Sequence, residues 1–378
     1  MTENGSLYAW GSNHLGQLGL GVGEDVARPT RVDGLQDIVS AFGNGMNGYA
    51  LDAEGKVRSW GLNEYGLLGV GEIDGLDDEM LHRHHRAAGV SGYLETRGCA
   101  RPAVIEDLPD IRQLACGNEN VFALDGDGRV WAWGHHDGLG RAARKDSNRP
   151  QRIAVLDGIV SIHAHNEGHA FYAIDANGDV WSWGNGWEGE LGHGKRRNQA
   201  VPARVPTLDR VTAVVPVPGG AFALVDGGKV VAWGSGTLDH GVIPRDRQKY
   251  LTEPQALDVP EPLAELYAGG GLVVARTAAG ETYTWGGSTG LRLCDDAEPS
   301  RQAVRSPSID GWTCWSLSGS FGLAANEVGA LVSFGENDCG ALGTGEMEAC
   351  IGPTVIEGIG SVIATHACVD QSFAICSE

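Results

Sequence analysis

Apolar and polar positions in the stretch IRQLACGNENVFALDGDGRVWAWG, residues 111–134, alternate with a period of two. Val130 and Ala132 fall on one side, and Trp131 and Trp133 on the other. That alternation predicts strands rather than helices. Three short apolar runs separated by a Gly-containing bend and a tight LDGDG turn predict an antiparallel three-strand unit. LDAEG and IDANG mark the same turn elsewhere in the chain. Asp52, Asp125 and Asp175 before these turn glycines are therefore read as bend residues, not as a catalytic carboxylate pair.

The third run of each unit ends in an aromatic-Gly pair, at Trp10, Trp60, Trp133, Trp183, Trp233, Trp285 and Phe334. The intervals are 50, 73, 50, 50, 52 and 49 residues, which makes seven units. A Gly-rich loop and a proline-led segment follow each pair, at Pro29, Pro102, Pro150, Pro202, Pro254, Pro307 and Pro353, and supply a fourth, outer strand. Four short antiparallel strands repeated around an axis predict an all-β, seven-bladed β-propeller, a single unit over residues 1–378. SLYAWG opens the sequence on the third strand of a unit, and SVIATHACVDQSFAICSE closes it on the first two. The two ends are thus expected to pair and complete one blade, which removes an exposed sheet edge.

WGSNHLGQLGLG (10–21), WGLNEYGLLGVG (60–71), WGNGWEGELGHG (183–194) and FGENDCGALGTG (334–345) resemble the repeat of the regulator of chromosome condensation family. CGNENVFAL, residues 116–124, is similar to that family's Cys-Gly-x-x-His-Thr-x-Ala-Leu signature, with Asn120 in place of the histidine. The same slot holds Asn47, Gly220, Leu272, Phe321 and Gln371 in other units, so the chain is a divergent example. The resemblance implies a propeller that binds proteins through loops on one face. Family members include exchange factors for small GTPases, chromatin-docking proteins and an inhibitor of β-lactamases. Fold does not carry function with it, so departures from the repeat are the better functional candidates.

The largest departure is an insertion. Trp60 and Pro102 stand 42 residues apart, against 17 to 22 in the other six units, which places an inserted loop at residues 72–100. It begins acidic, with Glu72, Asp74, Asp77, Asp78 and Glu79, and turns basic. Arg83, His84, His85, Arg86 and Tyr93 are its candidate partner-binding residues. Trp187 is the second departure: it takes a slot that is His14, Glu64 or Asp338 in other loops, and an exposed indole is a common interface anchor. The third is IVSIHAHNEGHAF, two residues longer than its equivalents. His163 and His165 there are expected on one side of a strand, about 6.6 Å apart, with His169 beyond the bend. In an alternative reading these three histidines form a catalytic or metal site for zinc or iron; otherwise they line the channel or satisfy backbone groups. His135 and His136 read as solvated. Trp312 and Trp315 read as oversized core residues.

Composition narrows the function classes. The 28 Lys+Arg against 49 Asp+Glu give a formal charge of −21, which argues against DNA and for a partner with a basic surface. The sequence shows neither a secretory leader pattern nor a long apolar run, so no membrane is expected and the cytoplasm is the expected location. Eight cysteines without regular spacing fit free thiols. GELGHGK at 189–195 lacks the Ser or Thr of a phosphate-binding loop and reads as ordinary repeat. The function expected is that of a protein-interaction module with no cofactor. The alternatives are an enzyme with a histidine-lined pocket at the channel mouth, and an exchange factor for a small GTPase.

Overall fold

The structure, a computed structural model, describes residues 5–73, 98–235, 250–260, 262–286, 293, 300–326 and 328–377. The strands form five four-stranded sheets and one eight-stranded sheet, in which two four-stranded blades are joined by the single pair Gly5↔Ile38, so the ring has seven blades. Their innermost strands are Ile38–Gly43, Ile111–Cys116, Ile159–Ala164, Val211–Val217, Leu263–Gly269, Trp312–Leu317 and Val362–Cys368, which define blades 1 to 7 in that order. Each inner strand adjoins the next, and that of blade 7 adjoins that of blade 1, so the ring is closed. Within a blade the order is sequential. Blade 3, for example, runs Ile159–Ala164, Ala170–Asp175, Val180–Gly184 and Gln199–Arg204. Blade 7 is composite: Gln371–Ser377 pairs with Gly5–Gly11 in unbroken antiparallel register from Gly5↔Ser377 to Gly11↔Gln371, and Val26–Arg31 completes it.

The repeat residues hold this ring by two devices. In the first, each turn aspartate accepts several donors. Asp125 Oδ1 takes the backbone N–H of Asp127 and Arg129 at 3.0 and 2.9 Å, while its Oδ2 takes Trp131 Nε1–H at 3.0 Å. Asp52 and Asp175 form the same backbone brackets. These aspartates are thus bend residues, as their place before the turn glycines predicts.

The second device ties blade to blade. Trp60 Nε1 donates to the Gln17 carbonyl at 2.8 Å, Trp133 to Leu67 at 2.7 Å, Trp183 to Gly138 at 3.0 Å, Trp233 to Glu190 at 2.5 Å, and Trp10 to Ala341 at 2.8 Å. Every one of these acceptors lies in the Gly-rich loop of the preceding blade. The indoles are buried at 0–1% exposure, so an unmade bond there would be costly. Gly61, just after Trp60, sits at φ +100°, and a Cβ there would stand 2.2 Å from the Met46 carbonyl oxygen, which is why glycine follows the aromatic. Apolar packing is likewise between blades: Phe122, Leu139, Ile153, Phe171 and Trp183 form one cluster across blades 2 and 3.

Strand polarity sorts the connections onto two faces. Turns from first to second strand share one face with the long loops that follow Trp-Gly; the Asp-bracketed turns share the other. The first is called the loop face below. Pro307 corrects one detail expected from sequence: it follows the outer strand Ser300–Arg305 instead of leading it. Trp315 is buried, with its ring near Phe334, and Trp312 is half-buried beside it. The candidate residues Arg83, His84, His85, Arg86 and Tyr93 lie outside the described residues.

Candidate functional site on the loop face

Trp187 stands on the loop face in the Trp-Gly loop of blade 3, 58% exposed. Its backbone is pinned on both sides. Its N–H donates to Asn185 Oδ1 at 3.1 Å, and its carbonyl accepts from Arg196 Nε at 2.7 Å. The Arg196 guanidinium in turn lies 3.7 Å from the centre of the Tyr250 ring, a cation–π contact that fixes it against blade 4. A large apolar surface held out on a rigid loop loses little freedom when a partner covers it.

The turn of blade 3 that is two residues longer crosses the mouth of the central channel. The inner strand ends at Ala164, so His165 belongs to the turn and the alternation assumed for His163 and His165 stops short of it. His165 Nδ1 accepts the N–H of Glu167 at 3.2 Å, and its carbonyl accepts that of Gly168 at 2.8 Å. The Asn166 side chain hydrogen-bonds Cys368 of blade 7, and Glu167 faces Gly319 of blade 6 and Asp370 of blade 7. The turn is thus a plug held by blades on the far side of the ring. His163 lies below it, its Nε2 3.0 Å from Ser161 Oγ, and burial pushes its pKa down to about 4. His169 is on the rim, 3.9 Å from Glu119 Oε2. The structure therefore does not gather His163, His165 and His169 around one point.

Beneath the plug lies a cavity of about 250 Å³, bounded by Ala164, His165, Val214, Leu266, Tyr267, Trp315 and His366 among others. No carboxylate is among its described lining residues. His366 also borders a smaller cavity of about 120 Å³ beside Phe42. Its ring packs edge-on to Phe42, and burial holds its pKa near 4.

Beside the plug on the loop face, Asp25, Asp338 and Asp370 surround Cys339. Burial first, and then these carboxylates, push its thiol pKa to about 11. Asp370 is itself raised, by burial and then by its two neighbours, and Glu167 is raised by burial and then by Asp370.

A different histidine pair is organised where sequence reasoning gives only solvated side chains. His135 and His136 open the Trp-Gly loop of blade 2. His136 Nδ1 and its own backbone N–H both stand 2.9 Å from Asp146 Oδ1. His135 Nδ1 is 3.7 Å from Glu119 Oε2, and its ring packs edge-on to Tyr65 of blade 1. Its N–H donates to the Glu119 carbonyl at 2.8 Å and its carbonyl accepts from Asn120 Nδ2 at 2.6 Å. Asn120 is the residue found in place of the signature histidine. Asn47 makes the equivalent bond to the Leu62 carbonyl in blade 1, so a short amide does the bridging in both blades. The signal for this cluster is weak in sequence because Tyr65, Glu119, Asp146 and His169 come from four separate loops.

Comparison with known proteins supplies the lineage. The model of the regulator of chromosome condensation (RCC1) repeat matches residues 4–47 and 177–221, and a second model of that repeat matches 111–138. The chain is 29% identical over 97% of its length to the human E3 ubiquitin-protein ligase HERC2, of which it spans 7%. It is 28% identical over 81% of its length to the ultraviolet-B receptor UVR8 of Arabidopsis thaliana, spanning 67% of that protein. Over 76% of its length it is 30% identical to the mouse secretion-regulating guanine nucleotide exchange factor, spanning 61% of it. Among solved structures, human WBSCR16 superposes with a TM-score of 0.82 at 18% identity, covering 99% of both chains. Yeast RCC1 (Prp20), solved with Kap60, superposes with 0.83 at 21% identity, covering 99% of this chain and 89% of its own. With its tryptophan-anchored blades, composite closure and repeat matches, the chain is built on the regulator of chromosome condensation repeat, in divergent form.

Proposed function

We propose that this propeller is a protein-binding regulator that grips a basic partner through its loop face, with Trp187 as the central contact. The observation that carries the reading is the 58% exposed indole on a backbone fixed from both sides. The charge supports it as well: a formal −21 overall, and carboxylates Asp25, Asp338, Asp370 and Glu167 on the same face. Acidic clusters speed encounter with a basic surface and make it salt-sensitive. The inserted residues 72–100, which follow the Trp-Gly loop of blade 1 in sequence, are the second proposed contact.

A narrower version of the same function is nucleotide exchange on a small GTPase. It is favoured by the mouse exchange factor, which matches across three-quarters of this chain. Yeast Prp20p, solved in connection with its binding properties to Gsp1p and histones, suggests two defined kinds of probe.

The test uses the wild-type chain, Trp187→Ala, and a chain with residues 72–98 replaced by a short Gly/Ser loop. Each is immobilised and exposed to host lysate at low and high salt, to core histones, and to small GTPases loaded with fluorescent GDP. The expected result is a stoichiometric partner whose affinity drops about tenfold or more in Trp187→Ala, as for an interface hot spot, and weakens as salt rises. Accelerated GDP release would assign the exchange reaction. Partner retention that neither substitution nor salt alters would refute the loop-face reading.

A further inference from the structure

We propose a zinc site at His135, His136 and Asp146, on the loop face of blade 2. Among the described residues, this is the one group of three whose candidate ligand atoms all lie within 4.8 Å of one another. A tetrahedral zinc ion with nitrogen and oxygen bonds of about 2.0–2.1 Å holds neighbouring ligand atoms about 3.4 Å apart. His136 Nδ1 and Asp146 Oδ1, at 2.9 Å, are already close to that spacing, and small rotations of partly exposed side chains bring in the third.

The surroundings are those of a ligating pair. Glu119 Oε2 lies 3.7 Å from His135 Nδ1, and one nitrogen of that ring lies within 4.8 Å of the other two ligand atoms. When His136 ligates through Nδ1 its proton moves to Nε2, and Asp137 Oδ1 is 3.5 Å away to receive the N–H. Each imidazole thus has a carboxylate within 4 Å, and a hydrogen bond closed between them on metal binding would fix ring orientation and raise ligand basicity. The His135 backbone is further held by Asn120 and the Glu119 carbonyl and its ring packs on Tyr65, so only side-chain rotation is left for the metal to impose. Two imidazoles and one carboxylate suit zinc and leave a fourth position open to water or to a side chain of a bound protein.

The competing account is a plain loop bracket, since Asp25 accepts the Asn13 N–H at 3.1 Å in blade 7 just as Asp146 accepts that of His136. Blade 7 has Ser12 and Asn13 where blade 2 has the two histidines. The bracket therefore needs neither imidazole, and the double variant His135→Ser/His136→Asn restores the residues of a loop already built in this molecule.

Metal-stripped full chain, titrated calorimetrically with zinc chloride and spectroscopically with cobalt chloride, is compared with that double variant and with Asp146→Asn, which keeps an acceptor for the His136 N–H. Thermal midpoints without metal verify that the variants fold. The expected result is one zinc per wild-type chain, and affinity reduced at least tenfold in both variants, with cobalt giving the visible bands of a tetrahedral site only in wild type. Equal zinc affinity in wild type and the double variant overturns the site. So does binding that persists in the double variant and disappears in His163→Ala or His169→Ala. Because neither titration involves a partner protein, its failure leaves the loop-face reading to its own test.

Discussion

Two half-buried imidazoles on the inner strands set an acid limit on the fold. His163 and His366 both have pKa values pushed down to about 4 by burial, against about 6.5 for an exposed histidine. Between those values the unfolded chain binds protons that the folded chain does not, so stability rises with pH across that window and is lost as pH falls through it. Glu167, Glu190 and Asp370, whose pKa values are raised by burial, act in the opposite direction. Urea unfolding at intervals from pH 7 to 4.5 should show a falling midpoint, and His366→Asn should flatten the slope; an unchanged slope would contradict the assignment. None of this is legible in sequence. Alternation places His163 and His165 together only while the strand lasts. The strand ends at Ala164, and the two extra residues of the turn build the plug instead of a third ligand.

The blade is far more legible, because its defining residues act locally or at a fixed offset to the next repeat. The period of the aromatic-Gly pairs, the Asp before the bend in blades 1 to 3 and the proline-led outer strands all depend on short spacings, and all but the placement of Pro307 hold. What the spacing does not reveal is the purpose of the indole nitrogen. Trp60→Phe tests it: the substitution removes the donor to the Gln17 carbonyl and some of the packing on Phe373. A cost of about 2–4 kcal/mol is expected in urea unfolding, from a buried acceptor left unmet plus lost volume. Phe334 already occupies the matching position in blade 6 without such a donor, so the loss should weaken one blade contact without abolishing the fold.

Closure of the ring belongs to the molecule as a whole and rests on seven paired residues, Gly5–Gly11 against Gln371–Ser377. Removing residues 371–378 strips blade 7 of its second strand and exposes the edge of Gly5–Gly11. The truncated chain is expected to lose cooperative thermal unfolding and to aggregate. A circular permutant with the present ends joined and new ends opened within 74–97 should keep a single transition. If the truncation melts like wild type, the composite blade is not what closes the ring.

The same pairing has a further, practical side. Gly5 and Ser377 face each other at the end of blade 7 remote from the Trp-Gly loops. Anything joined to either end of the described ring therefore hangs beneath it, while Trp187 and the histidine pair look the other way. A surface tether, a reporter or an adjoining domain on one end would leave those residues facing outward. Attachment at the Trp-Gly loop of blade 2 or blade 3 would place the added group beside them.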